Sequence, residues 1–199
     1  MPDYKQEIGE DVFCTVNHLW MLVTEYPYID DLEHYWSLKQ SKQDKSQFTY
    51  TNMGYQYNLT ADEWRNGGGS EFYIWLQEKL DSLKLPFELG AIKESWCNEY
   101  YKGGFQTAHR HGMDILDPFG GLMSCVIYFD DVPQLEGNEV NGCLFTMMPS
   151  PSGHQNYEEI PSKRGRVTIM NGEVWHGAYP TQHPRRCLVV DILYKDKEV

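Results

Sequence analysis

Two short pieces of the chain hold residues whose types and spacing can do chemistry. They are FQTAHRH, Phe105 to His111, and EVWHGAYPTQHPRR, Glu173 to Arg186. Four of the seven histidines lie in them: His109, His111, His176 and His183. Side chains alternate faces along a strand, so Phe105, Thr107, His109 and His111 share one face. If that face is inward, two imidazoles stand side by side in an interior, where they want a metal ion to occupy their nitrogens. H-x-H alone is a weak motif. A lone histidine is most often structural, and His18, His34, His154 and His183 are read that way.

The closing strand RRCLVVDIL carries a second signal. Arg185, Cys187, Val189 and Asp191 share one face, and Arg186, Leu188, Val190 and Ile192 share the other. The second set is apolar beyond its arginine and suits a packed core. The first is mixed and suits a lined cavity. Of the two arginines Arg185 is therefore the one on the cavity side, where a guanidinium offers a bidentate, charge-assisted grip on an anion. Arg186 is the alternative.

The elements that must position these residues change character near Glu88. Before it, DVFCTVNHLWMLVTEY has apolar spacing compatible with a helix, and DDLEHYWSLKQSK continues in that style. KQDKSQFTYTNMGYQYN reads as loop or short strand. NGGGS is a break with Ser70 as a candidate N-cap. SEFYIWLQEKLDSLKL is the clearest helix, with Phe72, Trp75, Leu76, Leu80 and Leu83 recurring at mostly three- and four-residue steps. After Glu88, short apolar runs alternate with turn residues: FELGAIKESWCNEYY, FQTAHRH, GLMSCVIYFDD, GCLFTMM, GRVTIMNG and RCLVVDILY. That pattern predicts a mainly β jelly roll with N-terminal helices. The expected organisation is one domain over 1–199, a mixed helical part at 1–88 packed on a β core at 89–199. Asn141-Gly142 reads as a hairpin turn within GNEVNGCLF. PSPSGHQNYEEIPSKRG is a polar insertion, lid or plain loop.

Bulk composition narrows the function classes. The chain has 199 residues and a formal net charge of −12, which disfavours a phosphate backbone as partner, so nucleic acid is not expected. The five cysteines form no C-x-x-C pair, which argues against a zinc finger or a disulfide framework. Cys125, Cys143 and Cys187 read as buried strand residues. No apolar run reaches membrane-spanning length and no signal-peptide pattern opens the chain, so a cytoplasmic protein is expected.

YYKGGFQTAHRH resembles the Y-x-x-G-G-x-x-x-x-H-x-D strand entry of prolyl-4-hydroxylase-like Fe(II)/2-oxoglutarate-dependent dioxygenases. SCVIYFDD resembles the next strand of that superfamily, and WHGAYPTQHPRRCLVVDIL its closing strands. SWCNEYYKGGFQTAHRH, with the earlier TNMGYQYNL, is similar to a bacterial and phage branch whose strand reads roughly W-x-N-x-Y-x-x-G-x-F-Q-x-x-H-x-H. Together these pieces span roughly residues 48–195.

The resemblance implies a double-stranded β-helix that binds Fe(II) and 2-oxoglutarate and uses dioxygen, releasing succinate and CO2. It makes His109 the first iron ligand and His176 the distal one. Arg185 takes the far carboxylate of 2-oxoglutarate, Tyr128 contacts the cosubstrate, and Tyr100 fills the entry tyrosine. One position departs from the pattern, since His111 stands where the family has a carboxylate. Three ligand sets remain open: His109, His111 and His176; the same two outer histidines with Asp114 curling back; or a displaced frame with His111 first and Asp114 as the carboxylate. The expected substrate is a small molecule or a protein side chain. A cupin-like metal dioxygenase without 2-oxoglutarate and an inactive jelly-roll module are the rivals.

Overall fold

A computed structural model describes residues 4–8, 11–16, 18–32, 51–112, 120–149 and 155–197. Its strands are β1 (Tyr4–Ile8), β2 (Asp11–Val16), β3 (Leu19–Glu25), β4 (Thr51–Asn58), β5 (Phe87–His109), β6 (Gly121–Tyr128), β7 (Leu144–Pro149), β8 (Gln155–Ile160), β9 (Arg166–Asn171), β10 (Trp175–Ala178) and β11 (Arg185–Asp196). Two helices, α1 (Ala61–Asn66) and α2 (Gly69–Ser82), lie between β4 and β5, and residues 29–32 are also helical. The strands pair antiparallel in the order β1-β2-β3-β9-β6-β11-β5-β10-β7-β8, with β4 on β5. The sheet curls on itself, so Thr146 on β7 donates to Met21 Sδ on β3 across the interior. This is a double-stranded β-helix.

Two apolar layers follow from strand alternation. Leu188, Val190 and Ile192 of β11 pack outward with Phe72, Leu76 and Leu80 of α2. Cys187 and Val189 face inward with Trp96, Tyr100, Val126 and Tyr128. Thr60 caps α1 by donating and accepting with Glu63. Helix α2 begins at Gly68, whose φ of +89° suits glycine, and Ser70 lies inside its first turn rather than at the cap. Gly69 permits the helices to touch, because a Cβ there would sit 2.3 Å from the Trp64 ring.

Two expectations are corrected and one is narrowed. Within residues 11–26, read as helix, β2 and β3 pair antiparallel instead, and nearly every described residue in them is buried on one face or the other. Asn141-Gly142 turns no hairpin. Leu135 to Asn141 is a run of turns, in which buried Asn141 donates to Pro133 O and accepts from Gln182 N. The segment 51–58, loop or short strand by sequence, is a full edge strand on β5. All five cysteines are buried. Among the described residues no helix is long and apolar enough to cross a membrane.

Candidate metal centre

The longest strand builds the site. Over its first part β5 pairs with β11, Tyr100 opposite Arg185 and Trp96 opposite Val189. At Gly103 (φ +83°) and Gly104 it bends away, exchanging backbone hydrogen bonds with Thr181. A Cβ on Gly104 would lie 2.7 Å from the Met53 and Tyr101 carbonyl oxygens, so only glycine fits. Beyond the bend β5 pairs with β10, and His109 falls opposite His176.

That second pairing is irregular. His176 faces His109 and Ala178 faces Gln106, so three steps along β5 match two along β10. The extra residue is a β-bulge, and it breaks the simple alternation. Gln106 and His109 both line the interior, although the sequence puts them on opposite faces. The strand ends at His109. His111 lies just beyond it, held by its backbone N–H to Gly172 O at 2.9 Å. A Cβ on Gly172 would stand 2.8 Å from the His111 carbonyl oxygen, so glycine admits the close approach.

The three histidines converge. One nitrogen from each of His109, His111 and His176 lies within 4.8 Å of the others. Their ring centroids are 4.4 to 5.2 Å apart. In each ring Nδ1 faces an oxygen: Thr107 O at 2.9 Å for His109, Val174 O at 3.0 Å for His176, and Asp191 Oδ2 at 2.6 Å for His111. Carbonyls and carboxylates only accept, so each Nδ1 carries a proton and Nε2 is the nitrogen of each ring that can ligate. The Nε2 atoms of His109 and His111 are 3.3 Å apart. Two lone pairs at that distance repel unless a cation or a proton lies between them. Burial, first, and the neighbouring imidazoles hold His176 well below the usual histidine range. Burial also lowers His109, against the pull of the Thr107 carbonyl. Both effects favour neutral, ligating imidazole.

A second cluster lies deeper between the sheets. Arg185 is 1% exposed, donates from Nη1 to Gly142 O at 2.6 Å and covers the Tyr100 ring at 4.1 Å. Its Nε has no hydrogen-bond partner, and among the described residues no carboxylate pairs with it. The Tyr128 hydroxyl and the Trp96 indole N–H, both buried, also lack partners. Burial pushes the Tyr128 hydroxyl far up, with Arg185 opposing in part, so it stays protonated and able to donate. Buried donors without partners are costly, and together they suit an anion with two oxygens. Tyr100 Oη donates to Gln106 Oε1 at 2.9 Å, linking this cluster to His109, whose Nε2 is 3.5 Å from Gln106 Nε2.

Trp96, Gln106, His109 and His111 line both an outer cavity of about 340 Å³ and this inner arm. The arm is closed to about 10 Å³, so a dianion enters it only as lining side chains move. Arg110 and Lys93 edge the outer cavity. Arg110 pairs with Glu173 at 2.7 Å over the Trp175 ring.

Of the residues singled out by sequence, the structure brings His109, His111, His176, Arg185, Tyr128 and Tyr100 to one interior. Arg186 does not join them. It turns to the other face of β11 and holds Asp130 through Nε and Nη2 at 2.6 to 3.2 Å, which corrects the alternative anchor. Asp114 falls in 113–119, outside the described residues. Sequence reading missed Gln106, which the bulge turns inward. It placed Asp191 on the cavity face but gave it no role.

No protein-family model matches the chain, and no curated protein matches it by sequence. Solved structures do. A Pseudomonas putida prolyl-4-hydroxylase superposes with a TM-score of 0.60 at 14% identity, over 90% of this chain and 93% of that one. The chain shares that fold. The viral collagen prolyl hydroxylase of Paramecium bursaria Chlorella virus-1, solved with 2-oxoglutarate, gives 0.61 at 13% identity over 88% and 96%. The alpha-ketoglutarate-dependent carbocyclase SnoK from nogalamycin biosynthesis gives 0.63 at 9% identity over 89% and 81%. At such identities the likeness is one of fold.

Proposed function

We propose that this chain is an Fe(II)- and 2-oxoglutarate-dependent oxygenase with a three-histidine metal site. One observation carries the reading. One ring nitrogen from each of three histidines converges at one end of an interior whose other end holds a buried arginine with no carboxylate partner among the described residues. A metal at the first end and a carboxylate at the second are the two ends of one 2-oxo dicarboxylic acid.

His109, His111 and His176 hold the metal, with Nδ1 protons pinned to Thr107, Asp191 and Val174. Arg185 and the Tyr128 hydroxyl receive the far carboxylate, and the Tyr100 ring supports the guanidinium. That carboxylate loses its water on entry, and a fixed cation replaces the lost hydration. Gln106 moves aside from its span between Tyr100 and His109. When bound, iron and 2-oxoglutarate supply the oxidation of a C–H bond by dioxygen, with release of succinate and CO2. The protein supplies position, charge and shelter from water. The outer cavity, polar at Gln56, Asn58, Lys93 and Arg110, receives the substrate, a small molecule or a protein side chain. The solved neighbours include both a hydroxylase and a carbocyclase, so the fold leaves the outcome of the oxidation to the substrate's placement.

The closed inner arm favours a second reading, a three-histidine oxygenase without 2-oxoglutarate. Turnover separates the two. Purified protein with Fe(II), ascorbate and 2-oxoglutarate in air should form succinate even without substrate, and His176→Ala should not. Iron bound at full stoichiometry with no succinate formed would select the second reading.

A further inference from the structure

Resting on the metal reading above, we infer that Asp191 is a positioning residue of the metal centre, supplying through His111 the negative charge that three neutral imidazoles lack. The usual facial triad of two histidines and a carboxylate brings one negative charge to a divalent ion. Here the carboxylate position is an imidazole. Asp191, 1% exposed on β11, stands directly behind that imidazole, its Oδ2 2.6 Å from His111 Nδ1.

Three features set this contact apart from an ordinary buried hydrogen bond. The other carboxylate oxygen, Oδ1, is buried and has no partner, and among the described residues no lysine or arginine pairs with Asp191. A buried carboxylate is costly unless a cation lies near, and the group that Asp191 bonds is the His111 ring. Asp191 is also not itself placed as a ligand, since among the described residues the cluster of convergent ligand atoms contains the three histidines alone. Finally, His111 lies past the end of β5, where no ladder fixes its ring. Its backbone N–H to Gly172, the stack on Trp96 at 5.6 Å and the Asp191 contact hold it. Of these, only Asp191 fixes the tautomer and so aims the Nε2 lone pair inward. A carboxylate bonded to the far nitrogen of a ligating histidine also makes that histidine a stronger donor.

The test uses Co(II) as probe, in anaerobic titrations read by ligand-field absorption, on wild type, Asp191→Asn and Asp191→Leu. Asparagine keeps an oxygen that accepts from Nδ1 and removes the charge, whereas leucine removes both. Asp191→Asn should bind Co(II) about 10–100-fold more weakly, with shifted bands, and Asp191→Leu at least as weakly. Ring ¹⁵N spectra of the Zn(II)-loaded protein should show a His111 Nδ1 proton that exchanges slowly with water in wild type and Asp191→Asn and rapidly in Asp191→Leu. Thermal midpoints in chelator at about pH 8 should match wild type in Asp191→Asn, because the folded metal-free protein loses only an uncompensated charge. Wild-type affinity and bands in Asp191→Asn would overturn the inference while leaving the metal site standing. So would a lowered metal-free midpoint with unchanged affinity, the mark of a merely structural residue. A wild type that binds no Co(II) would overturn the metal reading and this inference with it.

Discussion

Replacing Arg185 by leucine tests the inner arm most sharply. The guanidinium is fully buried and makes one hydrogen bond, to Gly142 O, so its remaining donors are available to a ligand carboxylate. Charge-assisted hydrogen bonds contribute about 1.5–3 kcal/mol each. Removing the cation while a carboxylate still enters the arm costs about 2–5 kcal/mol, because the anion is then buried unpaired. At about 1.4 kcal/mol per tenfold, 2-oxoglutarate binding should weaken by roughly 30-fold to a few thousand-fold. Fe(II) affinity should not change, since Arg185 contacts none of the three histidines. Stability should change little. The Gly142 hydrogen bond and the Tyr100 ring contact are lost, but so is a buried cation without a carboxylate partner. Arg186→Leu is the matched control. It breaks a partly exposed pair with Asp130, worth about 1 kcal/mol of stability, and should leave 2-oxoglutarate affinity intact. Anaerobic calorimetric titration of the iron-loaded variants with 2-oxoglutarate gives all three affinities. A defect in Arg186→Leu with none in Arg185→Leu would refute the assignment of faces on β11. No defect in either would refute the arm as the carboxylate site.

His109→Ala and His176→Ala should lose Fe(II) stoichiometry while circular dichroism stays native, whereas His111→Asp should still bind iron because it restores the common triad. Gly172→Ala should displace the His111 backbone, whose carbonyl oxygen would meet the new Cβ at 2.8 Å, and lower metal affinity at least about tenfold without unfolding the chain. In chelator, stability should fall with acidity. The buried His176 and His109 bind protons less readily folded than unfolded, so their contribution is complete above about pH 6.5 and declines as pH drops below it, by up to about 1.4 kcal/mol per unit for each group. Urea midpoints that are flat or rising between about pH 7 and pH 5 would contradict this. Leu80→Ala, on the buried face of α2, should cost about 2–5 kcal/mol in a denaturant titration and leave iron affinity of the folded protein unchanged.

The C-terminal strands were legible because turn residues cut them into short apolar runs. The α2 helix was legible because Phe72, Leu76 and Leu80 repeat on one face. The β2–β3 pair was not. Phe13, Cys14, Thr15 and Val16 are all buried, so the alternation that marks a half-exposed strand is missing, and a fully buried strand reads like a helix segment. At the site, His109 and His111 were found by type and spacing, His176 and Arg185 by their place in the closing strands. Gln106 was hidden because a bulge, which depends on the β10 register, reverses the alternation. The face of Asp191 could be read from β11, but its contact with His111 could not. That contact joins residues eighty apart and depends on where β5 ends.

The central claim is that one metal ion and one 2-oxo dicarboxylate occupy the two ends of the same interior. Anaerobic titration with Fe(II), with and without 2-oxoglutarate, followed by visible absorption, tests it directly. Expected are saturation at one iron per chain, a weak metal-to-ligand charge-transfer band that appears only when both are present, and loss of that band in Arg185→Leu with iron still bound. Iron that binds at one per chain while 2-oxoglutarate leaves its spectrum and affinity unchanged would contradict it.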